Sequence, residues 1–254
     1  MPLNSVLAVI PARYASTRFE GKPLVNIAGK SMIQRVYQQV QQAAVDTVIV
    51  ATDDTRIFEH VQSWGGNVVM TQKGHTSGTD RCAEVAKHYT EYNLVLNVQG
   101  DEPLIHPDTI NALINILQND DCQIATVYTH FRDVESLWAS TTAKLITDIR
   151  NKVLYFSRSV IPYLRNVPQA DWAACYAFKK HVGIYGFKRE VLLALTQLPS
   201  SDLEQAESLE QLRWLAYGYN IYAVYTPHDS LGVDIPADVE KVVKKLSSEK
   251  SNLI

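Results

Sequence analysis

LAVIPARYASTRFEGKPL, Leu7 to Leu24, decides how this chain is read. The apolar run Leu7-Ala8-Val9-Ile10 has strand length, and it feeds a turn-prone loop that carries Arg13, Arg18 and Lys22. A strand entering such a loop delivers backbone N–H groups and cations to a phosphate. The loop is not G-x-x-x-x-G-K-[ST], because Gly21-Lys22 is followed by Pro23, and it lacks the G-x-G-x-x-G dinucleotide fingerprint. Side-chain charge must therefore do more of the phosphate binding, and a dehydrogenase reading fails.

Outward from this stretch, short β-rich runs alternate with helical patterns. Leu7–Ile10, Thr47–Ala51, Asn67–Met70, Leu94–Val98 and Ile124–Tyr128 read as strands. Ile33, Val36, Tyr37 and Val40 have the i, i+3, i+4, i+7 spacing of a helix, and Ala83, Ala86 and Lys87 sit in a similar window after Thr79-Asp80. The alternation predicts a parallel sheet wrapped on both faces, with the loops at the strand C-termini lining one ligand-binding edge.

From Trp138 the pattern changes. Ala143–Asp148 and Val153–Phe156 read as a hairpin around Arg150-Asn151, followed by an aromatic, turn-rich stretch to Phe178. This predicts one domain over residues 1–254, with about 138–180 as an excursion or subdomain. His181–Phe187 reads as a core strand, Ser208–Tyr217 as a helix with Leu209, Leu212 and Leu215 inward, Ile221–Tyr225 as a last strand, and a last helix starts at Pro236. No internal repeat or tether-like linker stands out.

A chain of 254 residues can bury a full core without disulfides or a structural metal. Its net charge of −3 argues against a general nucleic-acid or anionic-membrane binder, so an anionic ligand must meet a local positive cluster. Cys82, Cys122 and Cys175 are odd in number and widely spaced, which suits neither a disulfide framework nor a zinc site and points to a reducing cytoplasm. The N-terminus has no signal-peptide pattern, and no run approaches the ~20 apolar residues of a membrane span.

Three constellations could carry chemistry. Gln99-Gly100-Asp101-Glu102-Pro103 follows a central strand: Asp101 is placed to hold Mg²⁺ against a polyphosphate, or belongs to a plain turn, and the Gln99 amide can donate and accept. Asp234, between the last strand and the last helix, could return beside Asp101 as a metal ligand or could cap the helix near Pro236. His75-Thr76-Ser77-Gly78-Thr79-Asp80-Arg81 suits a helix cap and a ligand-contacting loop alike; Arg81 opposes the helix dipole, which favours an anionic or polar ligand nearby. By residue type alone, Arg158, His181, Glu210 and Gln211 read as structural or surface groups.

Together, PARYASTRFEGKPL, HTSGTDR, NVQGDEP, YFSR, HVGIYGF, LEQLRWL and GVDIPADVE, spread from about Val6 to Val243, resemble the 3-deoxy-manno-octulosonate cytidylyltransferases, the CMP-KDO synthetases, in order and spacing. The resemblance implies an α/β nucleotidyltransferase (GT-A-like) fold, with a mostly parallel central sheet flanked by helices and a smaller antiparallel dimerisation and sugar-binding subdomain. It implies a cytoplasmic homodimer that uses CTP, Mg²⁺ and a KDO-type sugar acid. By matching position, Arg13, Arg18 and Lys22 would bind the CTP phosphates and Ser77, Gly78 and Arg81 would seat the nucleotide. Asp101 and Asp234 would hold the metal, and with Lys22 they form the catalytic set. Gln99, Arg158, His181, Tyr185, Glu210 and Gln211 would meet the sugar acid. A cytidylyltransferase for a sialic acid or an 8-amino octulosonate, or a silent CTP-binding regulator, is the alternative. This chain has Glu20 where the family usually has Pro, and a solvent-facing Glu20 is expected, because a carboxylate buried beside triphosphate would be costly.

Overall fold

The computed structural model describes residues 5–15, 19–229 and 231–251. The chain divides into two compact units, Met1–Asn111 with Ser230–Ile254, and Ala112–Asp229. Residues 138–180, read from the sequence pattern as an excursion or subdomain, fall within the second unit.

The first unit opens with β1 (Val6–Ala12), then the short pair β2 (Asn26–Ile27) and β3 (Lys30–Ser31), α1 (Met32–Val40), β4 (Thr47–Thr52), α2 (Thr55–Ser63), β5 (Val68–Met70), α3 (Gly78–His88) and β6 (Leu94–Asn97). β1 pairs in parallel with β4 on one side and β6 on the other, and β4 pairs in parallel with β5. Leu7, Ala8, Val9 and Ile10 are fully buried, as a strand with neighbours on both sides requires. α1 starts at Ser31, whose hydroxyl accepts from the Gln34 N–H at 3.3 Å, and it buries Met32, Ile33, Val36, Tyr37 and Val40. In α3 the buried residues include Cys82 and Val85 with Ala83 and Ala86, while Lys87 is exposed.

α4 (Pro107–Leu117) carries the chain into the second unit, which contains β7 (Ile124–His130), α5 (Val134–Trp138), β8 (Lys144–Thr147), β9 (Val153–Ser157), α6 (Trp172–Cys175), β10 (Lys179–Lys188), α7 (Arg189–Leu195), α8 (Asp202–Glu207), α9 (Gln211–Ala216) and β11 (Ile221–Tyr225). β7 pairs in parallel with β11 and antiparallel with β10, and β8 pairs antiparallel with β9 and β10. β10 shifts register between Val182 and Tyr185. The aromatic stretch before β10 closes its own small core of Leu137, Trp172 and Phe178.

The helix expected over Ser208–Tyr217 is shorter, Gln211–Ala216, and a separate helix, α8, precedes it. Ser208 takes a left-handed φ of 50° after α8, and α9 begins only at Gln211. In α9 Trp214 is buried beside Leu212, while Leu215, expected inward, is half-buried. The chain then returns to the first unit for α10 (Pro236–Ser251), where Val233 and Val242 pack with Ile27 and Met32.

Candidate active site

β1 and β6 end side by side, and the loops that leave them build the site. After β6, the Val98 N–H still bonds to the Val9 carbonyl at 3.0 Å, and Gln99-Gly100-Asp101 then turns away. Gly100 permits this closeness: a Cβ there would stand 3.0 Å from the Pro11 carbonyl oxygen. The loop after β1 is closed by the Gly21 N–H, which bonds to the Tyr14 carbonyl at 2.9 Å. Gly21 has φ of 69°, a left-handed value that costs glycine nothing, and it starts the short 3₁₀ turn that carries Lys22.

Between these loops is a cavity of about 400 Å³ lined by Arg13, Lys22, Met32, Gly78, Gln99 and Asp101, among others. Lys22 Nζ donates to Asp101 Oδ2 at 2.7 Å and lies 3.9 Å from Asp234 Oδ1. Asp234 reaches this point because the Val233 N–H bonds to the Asp101 carbonyl at 2.9 Å, while Val233 itself is buried. Asp238, inside α10, accepts from the N–H groups of Asp234 and Ile235 at 3.1 and 3.2 Å. The Asp238 carboxylate thus serves the start of α10, and the Asp234 carboxylate faces Lys22. Two carboxylates share one cation, as hard oxygen donors for a divalent ion would.

The residues expected to seat a nucleotide divide. Ser77 caps α3: its hydroxyl accepts from the Asp80 N–H at 3.1 Å, and the Asp80 carboxylate accepts from the Ser77 N–H at 3.2 Å. Gly78 lines the cavity. Arg81 is placed differently from the expectation of an arginine offered to a ligand. Its side chain is 0% exposed, and its guanidinium pairs with Asp53 at 2.8 Å and donates to Thr71. The charge that opposes the dipole of α3 is thus answered by a carboxylate of this chain. Arg18 lies outside the described residues. Glu20 is exposed, as expected beside a site for phosphate. Near it, the Arg56 guanidinium sits 3.3 Å over the Tyr14 ring and is gripped by Asp54 at 2.9 and 2.6 Å, a strut against the outside of the loop.

In the second unit, His181 and Tyr185 face each other with ring centroids 5.3 Å apart. His181 Nε2 lies 2.9 Å from the Thr126 hydroxyl, which itself donates to the Ile184 carbonyl at 2.9 Å. With its proton so used, Thr126 must accept, so Nε2 carries the imidazole hydrogen. Burial pushes the His181 pKa down to about 4. Burial, and then the charge of Glu210, raises the Tyr185 phenol well above its usual range, and its hydroxyl finds no hydrogen-bond partner among the described residues. Gln211 is buried and Glu210 half-buried. The Arg158 guanidinium bonds to the carbonyls of Glu207, Ser140 and Ser208 at 2.6, 2.9 and 3.1 Å. It lines a second cavity of about 400 Å³ with Trp138, Tyr163 and Trp172, and His181, Tyr185, Glu210 and Gln211 do not line it.

Sequence reading missed Asp53, the partner of Arg81, and Lys144, which is buried and donates to the carbonyls of Ala139, Thr142 and Arg158 at 2.7 to 2.9 Å. A buried cation held by three backbone carbonyls has no signature in the neighbouring residue types.

Comparison with known proteins supplies the frame for these features. A family model described as cytidylyltransferase matches residues 7–222. The 3-deoxy-manno-octulosonate cytidylyltransferase of Parabacteroides distasonis is 47% identical over 247 residues, 95% of this chain and 98% of its own length. That of Porphyromonas gingivalis is 46% identical over 97% of this chain and 98% of its own length. A solved CMP:2-keto-3-deoxy-manno-octonic acid synthetase complexed with CTP superposes with a TM-score of 0.89 at 43% identity, covering 97% of this chain and all of that one. A 4-diphosphocytidyl-2C-methyl-D-erythritol synthase of Anaerococcus prevotii, 16% identical with a TM-score of 0.63, shares the fold.

Proposed function

This chain belongs to the 3-deoxy-manno-octulosonate cytidylyltransferase family, and from that membership we propose that it transfers CMP from CTP to the anomeric hydroxyl of 3-deoxy-D-manno-octulosonate (KDO). The product would be the activated sugar for the inner core of lipopolysaccharide. The hydroxyl oxygen attacks the α-phosphorus in line, the bond from that phosphorus to the bridging oxygen breaks, pyrophosphate leaves, and the hydroxyl proton passes to solvent. No covalent enzyme intermediate is needed.

The observation that carries this reading is the convergence of Asp101 and Asp234 on Lys22 at the edge of the cavity after β1 and β6. The pair fits Mg²⁺: both are hard oxygen donors, and Lys22 already stands between them as a cation. When bound there, Mg²⁺ neutralises phosphate charge and lowers the pKa of the attacking hydroxyl. Arg13 and Lys22 then stabilise charge growing on the departing pyrophosphate, Gly78 lets the nucleotide approach the start of α3, and Gln99 offers an amide to the sugar acid. Ser77 shapes that helix start, and Arg81 holds its frame through Asp53. By family resemblance Arg158, His181, Tyr185, Glu210 and Gln211 of the second unit would meet the sugar acid. Among the described residues no helix is long and apolar enough to cross a membrane. From family membership we further propose that the enzyme works as a cytoplasmic homodimer.

The test is pyrophosphate release with CTP, Mg²⁺ and a panel of octulosonate, 8-amino octulosonate and nonulosonate acids. KDO should be the preferred acceptor. Preference for another acid would overturn the specificity, and CTP binding without release on any acid would make the protein a silent nucleotide binder.

A further inference from the structure

Between β5 and α3 the chain crosses seven residues, Thr71 to Ser77, which end just before Gly78, a residue that lines the cavity. Its two ends are fixed: the Thr71 N–H bonds to the Thr52 carbonyl at 2.8 Å, and Ser77 caps α3. The middle is held by Glu84, two turns into that helix. One Glu84 carboxylate oxygen, Oε2, accepts from the Gln72 N–H at 3.0 Å and pairs with His75 Nε2. The carbonyl of His75, on the other side of the same residue, accepts from the Arg13 guanidinium. Arg13 is exposed and lines the cavity, so this carbonyl is what gives its head a fixed direction. An exposed arginine otherwise explores many rotamers, and fixing it before the ligand arrives lowers the cost of binding.

We infer that Glu84 is a positioning residue for CTP: it folds the Gln72–His75 segment so that the His75 carbonyl holds Arg13 toward the triphosphate. Glu84 touches no substrate and acts through two contacts in series. The inference rests on the cytidylyltransferase reading, which supplies the triphosphate. The environment of Glu84 agrees with it: burial raises the carboxyl pKa, but the bonds from His75 and Gln72 outweigh burial and leave it below its ordinary value, so the group is charged near neutrality.

The experiment is a double-mutant cycle on CTP affinity, by calorimetry without the sugar acid, using Glu84→Ala, Arg13→Ala and the pair. Glu84→Ala should weaken CTP binding about tenfold, the scale of coupled contacts. In the Arg13→Ala background the same change should weaken it less than about twofold. With the sugar acid present, KM for CTP should rise while kcat stays within about twofold. Glu84→Gln, which still accepts from Gln72, should recover part of the affinity and serves as the first arm if Glu84→Ala fails to fold. Losses that simply add, or an unchanged CTP affinity, would overturn the role of Glu84 and leave the family reading intact. A wild-type protein that neither binds CTP nor releases pyrophosphate would overturn both.

Discussion

Lys22 Nζ and Asp101 Oδ2 stand 2.7 Å apart, joining the loop after β1 to the turn after β6 by one ion pair whose side chains are 15% and 32% exposed. A pair this close to solvent contributes about 0–1 kcal/mol to stability. Its value is the arrangement of charge. Asp101→Asn should therefore lower turnover at saturating CTP by about 10²–10³-fold, the usual effect of removing one electrostatic contact to a reacting group. Its melting temperature should stay within a few degrees of wild type. Pyrophosphate release and circular dichroism on the same sample check this, and near-normal turnover would remove Asp101 from the chemistry.

The carboxylate pair gives a second expectation. Chelation with EDTA should abolish turnover and added Mg²⁺ should restore it, since the two acids lie on segments tied by the bond from Val233 to Asp101. Asp234→Asn should raise the Mg²⁺ concentration needed for half-maximal rate while leaving the fold unchanged. Full activity in EDTA is the result that counts against a metal here.

Arg81 and Asp53 make the opposite kind of pair. The Arg81 side chain is 0% exposed, so Asp53→Ala would strand a buried charge, and its stability should fall by about 3–5 kcal/mol. Urea denaturation measures the loss. Asp53→Asn, which keeps an acceptor for the guanidinium, should lose less. If Asp53→Ala unfolds like wild type but fails to bind CTP, Arg81 serves the ligand and not the frame.

Gly100 tests the closeness of the two loops. Its missing Cβ would meet a backbone oxygen, Pro11 O, at 3.0 Å, and a carbonyl at the end of a central strand has little room to yield. Gly100→Ala should cost about 1–3 kcal/mol, as overpacking does, and should weaken CTP binding because Pro11 and Asp101 line the same cavity. Chemical denaturation and calorimetry read the two effects separately.

Much of this was legible in the sequence. The run before Arg13 is a central strand, the i, i+3, i+4, i+7 seam of α1 is buried, and the pairing of Val153–Ser157 with Lys144–Thr147 is the hairpin that the turn residues predict. These features depend on neighbours along the chain, so periodicity and turn chemistry record them. The start of α9 at Gln211 rather than at Ser208 was not legible, because the spacing of Leu209, Leu212 and Leu215 is helical across both positions. Lys22, Asp101 and Asp234 were legible as charge placed after strands. The partners of Arg81 and Glu84 were not, since a long side chain chooses among groups that only the folded chain brings near.

His181 gives a prediction with a definite sign. Its imidazole takes a proton near pH 6.5 in the unfolded chain, but burial holds the native value down to about 4. The unfolded state therefore binds more protons between these values, and stability is complete above pH 6.5 and falls as pH drops toward 4. The size of the loss from this group is about 3 kcal/mol. His181→Gln retains an N–H for the Thr126 hydroxyl but cannot titrate, so its stability should depend less on pH than wild type between 6.5 and 4. Urea midpoints for both proteins across that range measure the difference. The same burial keeps the imidazole neutral near pH 7, with its hydrogen on Nε2 toward Thr126, so the pH–rate profile should lack a limb near 6.5 that His181→Gln removes. Parallel stability curves for the two proteins would mean that His181 protonates in the native state as freely as in the unfolded chain.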